Sequence, residues 1–414
     1  MKILGRIWKY LTDTKALQSA SGDYEILFFE YLYRITYLAG MSLVDRKLTY
    51  LIYSKTVKLL LILLVILEIW HFFTMSSSLD DIIEGVNVIL IQIGTYVKYK
   101  TMNENKKVFK YLASAMNSTN LDIATDERKD IFYSWGKRNK QSLKLLIFLG
   151  TCTLVFWFFY PLFDDADYNL IIVISLPFDY RTPALYPVTY MSTFIVFMYI
   201  AYFVMLHDLV IQVYLVHLIC QFAILNDCFE NILIDCKKGF SKEQLDSIYF
   251  NEEFIQKYIK RLGRLVDQHT FIINNTLRLR DILSTPMLLQ VAVSTTLICS
   301  IGFQIATTVS VNVSKMLMSL LYLGYNMLSF FIMCKRCEDL KIQSTKVGEA
   351  VYFSSWEEVV VTIPRVRTTV LLILLRAHKP IGLTGGGMYE LSLEAYGNMI
   401  KTSYSALTVL LRLR

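Results

Sequence analysis

Charge is scarce in this sequence. Asp, Glu, Lys and Arg make up 19% of its 414 residues, against about 25% in an ordinary soluble domain, which argues against a water-soluble fold of this length. Histidine is rarer still. The five His, at positions 71, 207, 217, 269 and 378, are too dispersed to suggest a metal site, and neither metal nor cofactor is expected. The seven Cys are odd in number and scattered through mostly apolar sequence, which is not the pattern of a disulfide framework. Cys334-Lys-Arg-Cys337 has CxxC spacing but no second Cys or His pair beside it, and reads as two structural thiols at a helix end. Walker A, GxSxG and HExxH motifs are all missing, so no enzyme is expected. Gly385-Gly386-Gly387 suits a flexible turn better than a phosphate cradle. No internal repeat is visible, and no span is broken at its middle by Gly or Pro as in many transporters.

What the chain has in abundance is apolar surface. Hydrophobic residues reach 54% and aromatics 14%, with mean hydropathy +0.42. A bilayer core of about 30 Å needs about 20 helical residues. Apolar runs of that order predict spans over 57–75, 82–101, 145–163, 186–206, 282–306 and 315–334. The first holds Glu68 and His71; the second holds Asn87 and Gln92, which suits a helix facing the bundle rather than lipid. No cleavable signal peptide is expected, because MKILGRIWKYLTDTKAL lacks an adequate apolar core and carries Asp13. The run 209–225 is either an eighth span or a continuation of the fourth helix beyond the membrane.

The stretch 388–414, MYELSLEAYGNMIKTSYSALTVLLRLR, makes the seventh span, and it is unusual. At about 100° per residue, Glu390, Glu394, Asn398, Lys401, Ser405, Thr408 and Arg412 fall on one side of the helix. A continuous polar stripe on a spanning helix calls for water or polar partners along its length. It reads as a pore- or cavity-lining helix; the plainer alternative puts Glu390, Glu394 and Lys401 near or below the headgroups and buries only the last dozen residues.

Charge distribution orients the chain. All 42 Lys and Arg lie in or beside the amino-terminal segment and the second, fourth and sixth connections, except Arg181, Lys315, Lys401, Arg412 and Arg414. Basic connections stay in the cytosol. Seven spans with a cytosolic amino terminus and an extracellular carboxyl terminus satisfy this pattern, and an eighth would reverse it. The expected fold is therefore all-α: a polytopic membrane protein with seven transmembrane helices and a cytosolic helical anchor layer. Its parts are a cytosolic segment over 1–56, six spans over 57–334 with long cytosolic extensions at about 207–280, an anchor segment over 335–387 and the pore helix over 388–414. G-protein-coupled receptors have the opposite orientation, and their Asp-Arg-Tyr and Asn-Pro-x-x-Tyr motifs are missing. The run TTVLLILL at 368–375 is too short to span, so it is buried against protein or lies at the interface.

Aromatic residues gather towards the outer half of the bundle: Trp157, Phe158 and Phe159, then Tyr186, Tyr190 and Phe194, then Tyr322 and Tyr325 on one helical face. Some belong to an interfacial belt; the others suit an apolar pocket with a few hydroxyls.

At this point the sequence resembles the insect odorant receptors. The resemblance is carried by Tyr322-Leu-Gly-Tyr325-Asn326, by Ser344-Thr-Lys-Val347-Gly-Glu-Ala350-Val-Tyr352 followed by Trp356, and by Ala377-His-Lys-Pro380-Ile-Gly-Leu383-Thr384. Leu391-Ser392-Leu393 and Ser403-Tyr404-Ser405 follow, with Leu176-Pro-Phe-Asp179 and Ala184-Leu-Tyr-Pro187 upstream. The resemblance implies an odorant-gated, non-selective cation channel in the plasma membrane of sensory dendrites, assembled with a common co-receptor as a hetero-tetramer among membrane lipid. No nucleic-acid partner is implied. It points for the volatile ligand to Val86, Leu90, Thr153, Trp157, Tyr190, Phe194, Tyr322 and Tyr325. For the pore it points to Glu394, Asn398, Lys401, Ser405 and Thr408, with a hydrophobic constriction at Val409 and Leu413. Arg412 falls where the co-receptor has an uncharged amide. The alternatives are a gustatory-type receptor of the same superfamily, whose Thr-Tyr…Gln-Phe ending is missing here, and a membrane transporter.

Epitope tags at the two termini test the orientation. The amino-terminal tag is expected to be hidden until cells are permeabilised and the carboxyl-terminal tag exposed; an amino-terminal tag stained on intact cells would overturn the charge argument.

Overall fold

The computed structural model describes residues 12–20, 22–42, 44–45, 47–75, 79–115, 122–159, 161, 168–172, 174–241, 244, 248–308 and 313–413. The expected end of the third span, beyond 159, falls mostly outside them. Helices account for almost all of the ordered structure: α1 Lys15–Gln18, α2 Asp23–Leu38, α3 Leu48–Met75, α4 Leu79–Glu104, α5 Lys106–Ser114, α6 Asp126–Phe159, α7 Tyr186–Glu230, α8 Ile232–Lys237, α9 Glu252–Thr308, α10 Val313–Tyr352, α11 Trp356–Val360, α12 Pro364–Ala377 and α13 Leu393–Leu413. A short hairpin, β1 Thr384–Gly385 against β2 Tyr389–Glu390, precedes α13.

Seven of these helices, α3, α4, α6, α7, α9, α10 and α13, carry the seven spans. Five are long and apolar enough to cross a membrane by composition alone. The other two, α4 and α13, are the helices whose sequences carry internal polar residues. Outward faces are apolar: α3 exposes Leu59, Ile62, Leu63, Ile66 and Phe73, as a helix bathed in lipid tails does.

Three helices are far longer than a bilayer requires. At 1.5 Å per residue, the 45 residues of α7, 57 of α9 and 40 of α10 reach about 68, 86 and 60 Å. Their surplus turns form a helical base. The run 209–225 is therefore no eighth span. It continues the fourth helix without a break, and almost every side chain from Met205 to Phe229 is buried in protein. The base is the main hydrophobic core, joining Phe28 and Phe29 of α2, Phe132 of α6, Phe222 of α7, Phe254 of α9 and Cys337 of α10. The short run in α12 resolves by face: Val366, Val370 and Ile373 enter that core, while Leu371, Leu372 and Leu375 stay exposed.

One ion network closes the base. The Arg128 guanidinium, 1% exposed, meets Asp122 at 3.0 Å, Asp227 at 2.7 Å and Asp235 at 2.5 Å. Arg261 bonds Asp122 and lies 3.4 Å from Asp235. Burial pushes the Asp122 carboxyl up, but Arg261, the Ala124 N–H and Arg128 outweigh it and hold the group below the usual carboxylate range. Five side chains from α6, α7, α8, α9 and the loop before α6 are tied at one point. Removing one partner of such a buried network leaves charge uncompensated.

The hairpin seats α13 on α9. Gly386 and Gly387 take φ of +63° and +74°, a left-handed turn that suits glycine. The Gly386 N–H donates to the Ser284 carbonyl at 2.9 Å. A Cβ on Gly385 would lie 3.1 Å from the Leu288 backbone, so a larger residue there has to push the two backbones apart by a few tenths of an ångström. Lys341 of α10 pairs with Glu390 at 2.7 Å, and that hydrogen bond raises the Lys341 pKa.

Arg128→Ala is expected to cost about 3–5 kcal/mol, read as a lowered melting temperature of the detergent-purified protein. An unchanged melt would remove this network from the account of stability.

Candidate ligand cavity and pore helix

Between α3, α4, α6, α7, α9 and α10 lies a cavity of about 440 Å³, within the range of small-molecule sites. Its aromatic wall is built by stacking. The Trp157 ring lies 4.8 Å from that of Phe197 and 5.2 Å from that of Tyr322. Gly150 lets this wall close up, since a Cβ there would meet Met205 Sδ at 2.8 Å and the Tyr325 ring at 3.3 Å. Apolar side chains including Ile91, Ile200, Leu297 and Ile301 supply much of the remainder.

The polar groups on the wall are largely engaged with one another. Gln92 donates to Glu68 at 3.1 Å, Ser300 donates to Asn87 at 2.8 Å, and the Asn326 amide donates to the Tyr322 carbonyl at 2.8 Å. At the end nearer the base, Lys98 is 5% exposed and bonds both Asp208 and Gln290. This joins α4, α7 and α9. Gln290 in turn donates to Ser294 at 3.3 Å, and the carbonyl of the next residue, Thr295, accepts the Ser403 hydroxyl of α13 at 3.1 Å. A polar path thus runs from the cavity floor to the last helix.

Of the eight residues singled out from sequence, Thr153, Trp157, Tyr322 and Tyr325 line this cavity. The other four lie elsewhere. Val86 is exposed, and Leu90 packs beside Val293, Leu297 and Ile301. Phe194 stacks on Phe158 at 4.5 Å. Tyr190 is buried with Leu170 and Ile174 and donates to the Phe158 carbonyl. With Tyr186, whose hydroxyl bonds the Asn169 carbonyl at 2.7 Å, it steadies the segment 169–172 that forms part of the wall. Sequence reasoning missed Glu68, Asn87, Gln92, Asp208 and Gln290 as wall residues. Their signal was present: each is a polar side chain within or at the end of an apolar span.

The last helix is buried on one face only. Ala395, Met399 and Ser403 pack inward, and Leu407 comes so close to α9 that a Cβ on Gly302 would lie 3.0 Å from it. Glu394, Asn398, Lys401, Ser405, Val409 and Arg412 are exposed, and Thr408 is half-buried. Leu413 closes the helix. Ser405 and Thr408 turn their hydroxyls onto the carbonyls of Lys401 and Ser405 at 3.0 and 2.7 Å.

A seven-span bundle with an internal aromatic cavity is the build of a membrane chemosensory receptor, and the comparisons agree. A family model described as 7tm odorant receptor matches residues 78–404. The chain belongs to the 7tm odorant receptor family, whose members are receptors and not enzymes. It is 23% identical over 322 residues to odorant receptor 13a of Drosophila melanogaster, covering 76% of this chain and 73% of that one. It is 27% identical over 150 residues to odorant receptor 82a of the same species, covering 36% and 38%. The fold is similar to the olfactory receptor OR5 of Machilis hrabei in complex with eugenol, with TM-score 0.78, 18% identity and coverage of 95% and 100%.

Lys98→Met strands Asp208 and is expected to destabilise the protein by about 3–5 kcal/mol, with Lys98→Met/Asp208→Leu recovering much of the loss. Equal thermal melts for wild type and the single variant would refute a structural role for the pair.

Proposed function

We propose that the chain is the odorant-binding subunit of a heteromeric, ligand-gated, non-selective cation channel. A small volatile molecule held in the cavity opens a pore lined by α13. The observation that carries this reading is the exposed stripe of Glu394, Asn398, Lys401, Ser405 and Arg412 on a membrane-spanning helix whose opposite face packs on α9. Such a stripe is costly against lipid and comfortable against water. Symmetry-related copies of α13 around an axis supply that water-filled path, and the family assignment favours a common co-receptor as the other subunit of a hetero-tetramer.

In this reading the amino terminus and helical base are cytosolic, the carboxyl terminus is extracellular, and the protein works in the plasma membrane of olfactory sensory dendrites. Trp157, Tyr322 and Tyr325 contact the ligand. The polar path through Lys98, Gln290 and Ser403 links that contact to the pore helix. Val409 and Leu413 form the outer constriction, and Arg412 beside them opposes cation passage.

Expressed with the co-receptor, the chain is expected to give odorant-evoked inward current, and Arg412→Gln to raise its calcium permeability. No odorant-evoked current across a broad panel, at normal surface expression, would overturn the channel reading. Unchanged permeation in the variant would remove Arg412 from the pore.

A further inference from the structure

A second cavity, of about 360 Å³, lies where α4 ends and α5 begins, enclosed by α2, α5, α7 and the segment before α3. Its interior is apolar and aromatic, with Leu32, Met102, Phe109, Val210 and Tyr214 on the wall. Its mouth is basic. Lys106, Lys107 and Lys110 line it, Lys106 half-buried and the others exposed, and none forms an ion pair among the described residues. Lys106 and Lys110 stand one turn apart on the same face of α5. Lys106 and Lys107 open that helix, where the backbone dipole favours an anion, and Lys110 stands one turn further on. The Asn105 side chain makes no capping hydrogen bond there. Against these lysines the wall has one carboxylate, Glu25, which accepts the Tyr33 hydroxyl at 2.7 Å.

His207 adds an independent observation. It lies on the cavity wall with its side chain fully buried. Its Nδ1 meets the Phe203 carbonyl at 2.6 Å, and its Nε2 has no hydrogen-bond partner among the described residues. With Nδ1–H donating to that carbonyl, Nε2 is an acceptor waiting for a donor, and an unpaired buried acceptor is costly. A ligand hydroxyl supplies one once the side chains that cover Nε2 move aside.

The location decides what kind of molecule reaches this site. The apolar runs expected to span, 57–75, 82–101 and 186–206, have their ends near Tyr99, Met102 and His207 on this wall, which puts the mouth at the expected membrane surface. The required chemistry is phosphate for three lysines, hydroxyls for a buried imidazole and hydrocarbon for an apolar interior. We propose that this cavity binds an inositol phospholipid from the basic-side leaflet. The phosphates lie on Lys106, Lys107 and Lys110, a ring hydroxyl donates to His207 Nε2, and an acyl chain enters between Leu32, Met102 and Val210. Basic pockets between spanning helices take such headgroups. The proposal rests on the seven-span fold and not on the channel reading, since binding is measured without current.

The test uses the full chain in phosphatidylcholine nanodiscs and a fluorescent phosphatidylinositol phosphate. Wild type is expected to bind it in preference to fluorescent phosphatidylserine. Lys106→Gln/Lys107→Gln/Lys110→Gln, which keeps each side chain polar at half-buried or exposed positions, is expected to weaken binding by at least ~10-fold. Val210→Trp, which fills the interior and leaves the lysines in place, is expected to weaken it as well. Leu32→Phe repeats that arm if Val210→Trp does not elute as a monodisperse protein. Undiminished binding in the triple Gln variant, or in both cavity-filling variants, overturns the assignment. So does equal binding of phosphatidylserine, or displacement by soluble inositol phosphate as effective as by the lipid, which would make this a free-phosphate site.

Discussion

A row of charges and amides on a membrane-crossing helix cannot be left facing hydrocarbon. Each ionisable group at that depth costs several kcal/mol unless water or a polar partner meets it. In α13 the inward face, with Ala395, Met399 and Ser403 buried, is already taken by α9 and α10, Ser403 bonding the Thr295 carbonyl and Tyr396 lying against Phe330 and Phe331. Rotating the helix to hide Lys401 and Arg412 would break that packing and turn polar groups into the apolar seam. The stripe is therefore fixed outward by the chain's own core, and its solvent has to come from outside the protomer. Most other features of the molecule follow from holding this one helix in that pose.

The element that holds it is α9. Its 57 residues begin in the base beside Arg261, pass the hairpin at Ser284 and Leu288, line the cavity at Gln290, Leu297 and Ile301, and meet α13 at Thr295 and Gly302. Pro286 lies within it. Proline cannot donate an N–H to the carbonyl four residues earlier and its ring crowds that turn, so the regular hydrogen-bond ladder is interrupted beside the hairpin that sets the start of α13. Cavity, hairpin and α13 thus share one long helix with one weakened turn. The base anchors its near end with a densely packed core, whereas the membrane half has only small buried clusters. Buried packing is concentrated in the base, and the looser half holds the cavity.

Much of this architecture is legible in the sequence because bilayer physics writes in long, simple signals. Runs of twenty apolar residues, basic connections and a polar stripe at helical spacing depend on no fine geometry, and they gave the spans, the continuation of α7 and the outward face of α13. The cavity was only half legible. Trp157, Tyr322 and Tyr325 are aromatic and face inward, but so do Tyr190 and Phe194, and no periodicity separates an aromatic that lines a void from one that fills a neighbouring cluster. That difference rests on Gly150 admitting Met205 and Tyr325, and on the wall segment held by Tyr186 and Tyr190. Both are tertiary contacts between residues far apart in the chain. The Arg128 network was invisible for the same reason, since Asp122, Asp227 and Asp235 converge only once three helices have packed.

If the cavity is the ligand site proposed above, the way it satisfies itself bears on what it would select. Glu68 with Gln92, Asn87 with Ser300, and Asp208 with Lys98 and Gln290 settle their hydrogen bonds inside the wall. A ligand rich in donors and acceptors would have to break these pairs or enter without partners, and either route leaves buried polar groups unmatched at about 1–3 kcal/mol each. A mainly hydrocarbon molecule meets no such cost. It gains the burial of its apolar surface against Trp157, Phe197, Ile301 and Tyr322, at about 25 cal/mol per Å². Selection among such molecules then rests on shape, where one methylene shifts binding by only about 1–3 kcal/mol. A wall of this kind grades related ligands rather than accepting one and refusing the next, and its tuning moves with small changes in the aromatic stack.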